Sequence, residues 1–172
     1  MAAKSFAFAI FALILVAGSE AATVYATAKA AGLTTLVAAI DAAGMKGAFN
    51  HNLRGTVFAP TNEAFAELIA ALNTTPEDLL GNKALLRKVL KYHVVFGKPI
   101  KSSDIPKGKV TTVYTWDGLP LGAKAWGKDP KNTGVNVFYG KDLENKAKVV
   151  APDVRANTAI VHVINKVLVP VL

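Results

Sequence analysis

Thr56-Val-Phe-Ala-Pro-Thr-Asn-Glu-Ala-Phe65 and Ala159-Ile-Val-His-Val-Ile-Asn-Lys-Val-Leu168 are the two stretches on which the fold of this chain turns. In the first, Val57-Phe58-Ala59 is a short apolar run of strand type. Pro60 ends it, and Thr61 or Asn62 offers a side-chain oxygen to cap a following helix. That helix carries Phe65, Leu68, Ile69 and Leu72 at the i, i+3, i+4, i+7 spacing of one buried face. In the second stretch, Ile160, His162 and Ile164 alternate with Val161 and Val163. Both faces are apolar, which predicts a central strand covered on both sides. Between the two stretches lies Tyr92-His93-Val94-Val95, where a helical pattern gives way to a strand.

Upstream, Thr34 or Thr35 is expected to cap a short helix that places Leu36, Val37 and Ile40 on one face and stops near Gly44. Thr75-Pro76-Glu77-Asp78 combines a cap, a proline at the first helical position and acids in the first turn, a strong helix start. Asn82 caps the next helix, whose Leu86, Val89 and Leu90 are expected inside with His93 at its end. Beyond Tyr92 the period changes. Val94–Phe96, Lys109–Trp116, Val135–Tyr139, Lys148–Val154 and Thr158–Val169 read as strands, with Asp117-Gly118 as a hairpin turn. Helices first and strands later predict α+β: helices mostly in the first half and a β-sandwich-like, mostly antiparallel sheet core in the second.

The chain has 172 residues, 52% hydrophobic and 19% charged, which suits one globular domain. Met1-Ala-Ala-Lys4, the apolar run Phe6 to Ala17 and the small residues of Ser19-Glu20-Ala21 read as a secretory signal peptide over 1–21. Residues 22–172 are then the single domain, secreted to the extracellular space. The apolar run is short of the roughly 20 residues a spanning helix needs, so no transmembrane segment is expected after cleavage. No cysteine is present, which excludes disulfides and thiolate chemistry. Asn73-Thr74-Thr75 is an N-glycosylation sequon in a chain expected to be secreted.

The formal net charge is +8. Ala22 to Phe96 holds seven Lys/Arg against five Asp/Glu; Gly97 to Leu172 holds twelve against six. The cations are dispersed and nearly all lysine, unlike the clustered arginines of nucleic-acid readers, so no nucleic-acid partner is expected. An acidic glycan or another anionic surface fits better. Catalysis finds no motif. Ser102 and Ser103 are the serines left after cleavage and stand in no nucleophile elbow. His51, His93 and His162 are far apart in sequence and lack ligand spacing, so neither a metal nor a required cofactor is expected.

In this order and spacing, Thr56–Phe65, Tyr92–Val95 and Ala159–Leu168 closely resemble the fasciclin-type domain. The resemblance implies the fasciclin-type fold and a secreted, non-catalytic binding module for adhesion in the extracellular matrix or at the cell surface. Tyr92, His93, Val94 and Val95 match the tyrosine-histidine motif tied to partner binding in animal matrix members, and are the candidate adhesion residues. Asp153-Val154-Arg155-Ala156-Asn157-Thr158 departs from the acidic-isoleucine pattern those members carry before the last strand. The implied partner is a cell-surface or matrix protein, or an acidic glycan. The chain is also similar to small secreted algal members that carry astaxanthin and related carotenoids in water. It shares their size, basic charge, sequon and alanine-rich early helices. That likeness implies an alternative, a carotenoid held in an apolar tunnel, with Leu36, Val37, Ile40 and Ile160 as candidate lining. Trp116, Trp126, Phe138 and Tyr139 supply aromatics in the second half.

Overall fold

The structure is a computed structural model that describes residues 22–127, 134–140 and 143–170. The expected signal peptide, 1–21, lies outside the described residues. Three short helices come first: α1 (Val24–Ala30), α2 (Thr34–Ala42) and α3 (Lys46–Asn50). The Thr23 hydroxyl caps α1 by accepting from the Ala26 amide. The cap expected at Thr34 or Thr35 does not form, because Leu33 occupies the cap position of α2. A side chain from further along the chain replaces it: the Asn62 oxygen accepts from the Thr35 N–H at 3.0 Å, and the Asn62 amide donates to the Gly32 carbonyl at 3.0 Å.

Strand β1 (Gly55–Pro60) leads into α4 (Asn62–Ala71), capped by Thr61. Leu72, expected on the buried face of α4, is instead 49% exposed; the helix ends at Ala71 and only its first turns reach the core. Helix α5 (Pro76–Gly81) starts on a Thr75 cap and α6 (Lys83–Tyr92) on an Asn82 cap, both as expected. The remaining strands are β2 (Val94–Phe96), β3 (Thr111–Tyr114), β4 (Pro120–Trp126), β5 (Gly134–Tyr139), β6 (Asn145–Ala156) and β7 (Ala159–Ile164).

The seven strands form one sheet in the order β2-β1-β7-β6-β5-β4-β3. All neighbours pair antiparallel except β1 and β7, which run parallel with Thr56 opposite Ile160, Val57 opposite Val161 and Phe58 opposite His162. The two decisive stretches of sequence are therefore adjacent strands, and every residue of both β1 and β7 is buried. One face of this pair, Val57, Ala59, Val161 and Val163, packs against Leu36, Ile40, Phe49, Phe65, Leu86 and Leu90 of the helices. The other face carries Phe58 and Ile164 into a second core with Tyr92, Leu121, Val137 and Val149. Side chains alternate across a strand, so each strand serves both cores.

Strand β6 shifts register between Val149 and Val154, where Pro152 cannot donate to the ladder and Asp153 takes a positive φ of 60°. The sheet curls until its two ends nearly meet: the Trp116 N–H, just past β3, donates to the Val94 carbonyl of β2 at 2.7 Å. Close approach of the backbone also defines the start of β1. Gly55 has φ +155°, and a Cβ there would sit 2.1 Å from the Val95 carbonyl oxygen. Gly55→Ala is expected to lower stability by at least about 1–3 kcal/mol, the usual cost of such a backbone conformation without the clash. Chemical denaturation measures it; an unchanged midpoint would mean that β1 and β2 are not held this close.

Candidate functional site

Tyr92, His93, Val94 and Val95 are each no more than 5% exposed, at the junction of α6 and β2. The Tyr92 hydroxyl donates to the Pro120 carbonyl at 3.0 Å. Burial raises its pKa, and a backbone hydrogen bond with Gly140 only partly opposes the rise. His93 stands at the C-cap of α6, where its Nδ1 donates to the Val89 carbonyl at 2.7 Å. Its Nε2 accepts from the Leu168 N–H at 2.9 Å. These partners assign the neutral tautomer. Burial lowers the His93 pKa to about 4, against the opposing pull of the Val89 carbonyl. His93 therefore clips the end of α6 to the segment after β7. Buried as they are, the four motif residues support the adjoining surface and do not themselves form it.

That surface begins at the next residue. Phe96 is 49% exposed and meets Trp116 edge to face, with ring centroids 4.8 Å apart. The Lys91 ammonium lies 5.8 Å from the centre of the Trp116 ring and 3.8 Å from an Asp117 carboxylate oxygen. Beside this pair opens a cleft of about 410 Å³ between α6 and the β3–β4 turn, lined by Ala84, Arg87, Lys88, Lys91, Asp117 and Leu119. Helix α6 has four cations and no acid. Lys83, Arg87 and Lys91 follow one another at i, i+4 spacing, with Lys88 adjoining, and the first turn holds no acid to meet the helix dipole. Each like-charge neighbour pair costs roughly 0.2–0.5 kcal/mol. The Arg87 Nε donates to the Ala43 carbonyl at 2.8 Å, which anchors the guanidinium at the end of α2.

The four apolar-ligand candidates divide between two places. Leu36 and Ile40 are buried in the helix-side core and Val37 packs against it half-buried. Ile160 is buried on β7 but alternates with Val161, so it points to the opposite face of the sheet. Asn73 is exposed in the turn after α4, with φ +49°.

Ser102, Asp153 and His162 do come together, a grouping that sequence separation hid. The Asp153 carboxylate accepts from the Ser102 amide at 2.7 Å and also from the Ser102 hydroxyl. The His162 Nδ1 accepts from the Asp153 N–H at 3.2 Å, and its Nε2 donates to the Ile100 carbonyl at 2.8 Å. Burial lowers the His162 pKa, while the Ile100 hydrogen bond and Asp153 oppose the shift. Both ring nitrogens are thus held by main chain, and neither faces the serine as a base. The trio fastens the loop after β2 onto the β6 bulge. Among the described residues no group of three or more His, Cys, Asp or Glu is placed to hold a metal, and no helix is long and apolar enough to cross a membrane.

The family model for the Fasciclin domain matches residues 31–170. Protein sll1483 of Synechocystis sp. is 41% identical over 139 residues, covering 80% of this chain and 67% of that protein. The transforming growth factor-beta-induced protein ig-h3 of Sus scrofa is 38% identical over 135 residues, 78% of this chain but 17% of that protein. A FAS1 domain pair from the insect cell adhesion molecule Fasciclin I superposes with a TM-score of 0.61 at 21% identity, covering 78% of this chain and 44% of that one. The chain belongs to the fasciclin domain family, whose members are non-catalytic adhesion and binding modules.

The neutral His93 carries a pH dependence. Its folded pKa, about 4, lies below the unfolded value of about 6.5, so on acidification the unfolded chain takes up the proton first. Stability from this group is complete above pH 6.5 and is lost as pH falls towards 4, by about 3 kcal/mol in all. His93→Ala is expected to cost about 1–3 kcal/mol at pH 7, because the Val89 carbonyl and Leu168 N–H lose their partner. It is also expected to flatten the slope between pH 6.5 and 4. Denaturation at a series of pH values tests both; parallel profiles for the two proteins would show that His93 does not carry the proton linkage.

Proposed function

We propose that the protein works outside the cell as an adhesion module, meeting its partner through the face built by the end of α6, β2 and the β3–β4 turn. The observation that carries this reading is the half-exposed Phe96 ring set edge to face against the partly buried Trp116 beside Lys91, next to the buried Tyr92-His93-Val94-Val95 segment. Exposed aromatics with a neighbouring cation are the residue types that dominate binding interfaces. Membership of the fasciclin family, a structural relative described as a cell adhesion molecule, and the secretory pattern of residues 1–21 support the extracellular setting. Asn73, exposed in its turn, is the proposed glycosylation site. Phe96→Ala, at the exposed member of the pair, is expected to reduce retention on extracellular matrix or cell-surface preparations at least about tenfold, while the thermal midpoint stays within a few degrees. Equal retention of the variant and the parent would remove this face from the interaction.

The same aromatic pair favours a second reading, a carrier of a long apolar molecule such as a carotenoid. Leu36 and Ile40 are closed into the helix-side core, whereas Phe96 and Tyr114 present ring surface to solvent. Mixing residues 22–172 with detergent-dispersed astaxanthin and separating by size tests it. Pigment is expected to travel with the protein and to be lost with Trp116→Ala; a colourless protein peak would end the carrier reading.

A further inference from the structure

The row of cations on α6 has no counterpart in the fold it helps to build. Lys83, Arg87 and Lys91 repel along one helix face, and among the described residues the acid that answers them is Asp117, 3.8 Å from Lys91 alone. A helix stabilised by its packing alone has no need of this arrangement. An anionic partner that recurs along its length relieves it. The cleft alongside the row holds three cations on one wall and Asp117 and Leu119 on the other, and its Lys91 lies 5.8 Å from the centre of the Trp116 ring. This combination fits a carbohydrate better than a plain polyanion. An indole ring packs on the apolar face of a sugar, a carboxylate accepts from sugar hydroxyls, and ammonium and guanidinium groups take the sugar's acidic substituent.

From this juxtaposition we infer that the α6 cleft binds an acidic polysaccharide. Lys88, Lys91 and the free edge of the Arg87 guanidinium meet uronate carboxylates or sulfates, Trp116 stacks on a ring and Asp117 accepts from its hydroxyls. The inference rests on the adhesion reading above and names the partner of that face. Arg87, which lines the cleft, is anchored by its Nε to Ala43, and its other guanidinium N–H groups remain as donors. Lys88 is half-buried and lines the cleft.

The test is titration of residues 22–172 with oligogalacturonate and with a sulfated oligosaccharide, read by tryptophan fluorescence and calorimetry at several salt concentrations. Saturable binding that weakens with salt and alters Trp116 emission is expected. The Lys88→Gln/Lys91→Gln variant is expected to lose at least tenfold in affinity. Lys146→Gln/Lys166→Gln removes the same charge from exposed positions elsewhere and is expected to stay within twofold. Equal losses in the two variants would overturn the inference in favour of diffuse electrostatic attraction. Binding to anionic phospholipid vesicles with none to either oligosaccharide would also overturn it. Retention on matrix preparations without oligosaccharide binding would overturn the inference and leave the adhesion reading standing with a protein partner. Loss of both would overturn the two together.

Discussion

The parallel pairing of β1 with β7 is the constraint on which the rest of the structure depends. Residues 55–60 and 159–164 are about a hundred positions apart, yet they lie side by side in register. Closing so long a loop is entropically costly, though the cost grows only logarithmically with length. Burial offsets it: both strands are covered on both faces, and the two apolar cores meet at this pair. Everything N-terminal to β1 packs on one side of it. Strands β3 to β5 wrap the other side, with β6 as the bridge between the two arms of the sheet.

Two histidines secure that junction, and each does so only when neutral. His162 sits on β7 opposite Phe58, stacks against its ring at a centroid distance of 5.8 Å, and ties the strand to Ile100 and Asp153. His93 passes its carbonyl to the Phe58 amide and its ring to the chain beyond β7. A neutral imidazole offers one donor and one acceptor, the pattern each site requires. Protonation would set an N–H against the Leu168 amide in one case and the Asp153 amide in the other. The tyrosine-histidine segment is therefore a structural clip. It fixes where β2 leaves the core, and hence where Phe96 and Trp116 reach solvent.

Local chemistry was legible where a residue acts on its own neighbours. The caps at Thr61, Thr75 and Asn82 follow directly from side-chain oxygens placed before periodic runs. The double-sided burial of β7 follows from its apolar alternation. Reading failed where a distant residue supplies the partner. Asn62 caps α2 across 27 positions, so no pattern around Thr34 could reveal that its own hydroxyl is not the cap. Helices α1 and α3 lie in alanine- and glycine-containing stretches with too few large apolar residues to set a period. Strand β4 carries no strand pattern in the sequence, because Gly122 and the alternating alanines have little strand propensity; packing decides it instead. The Phe96–Trp116 contact depends on how far the sheet curls, a property of seven strands together.

Helix α6 shows why its charge pattern could persist. Its inner face buries Leu86, Val89, Leu90 and Tyr92, each worth on the order of 1.5–3 kcal/mol in the core. The repulsion along its outer face is several times smaller. Stability is therefore set by one side of the helix, and the other side is free to carry like charges without threatening the fold. The anchoring of Arg87 to Ala43 ties the two sides together at a single residue, since the side chain that closes the end of α2 belongs to a residue that also lines the cleft. A change there alters packing and surface charge at once, whereas a change at Lys88 or Lys91 separates them.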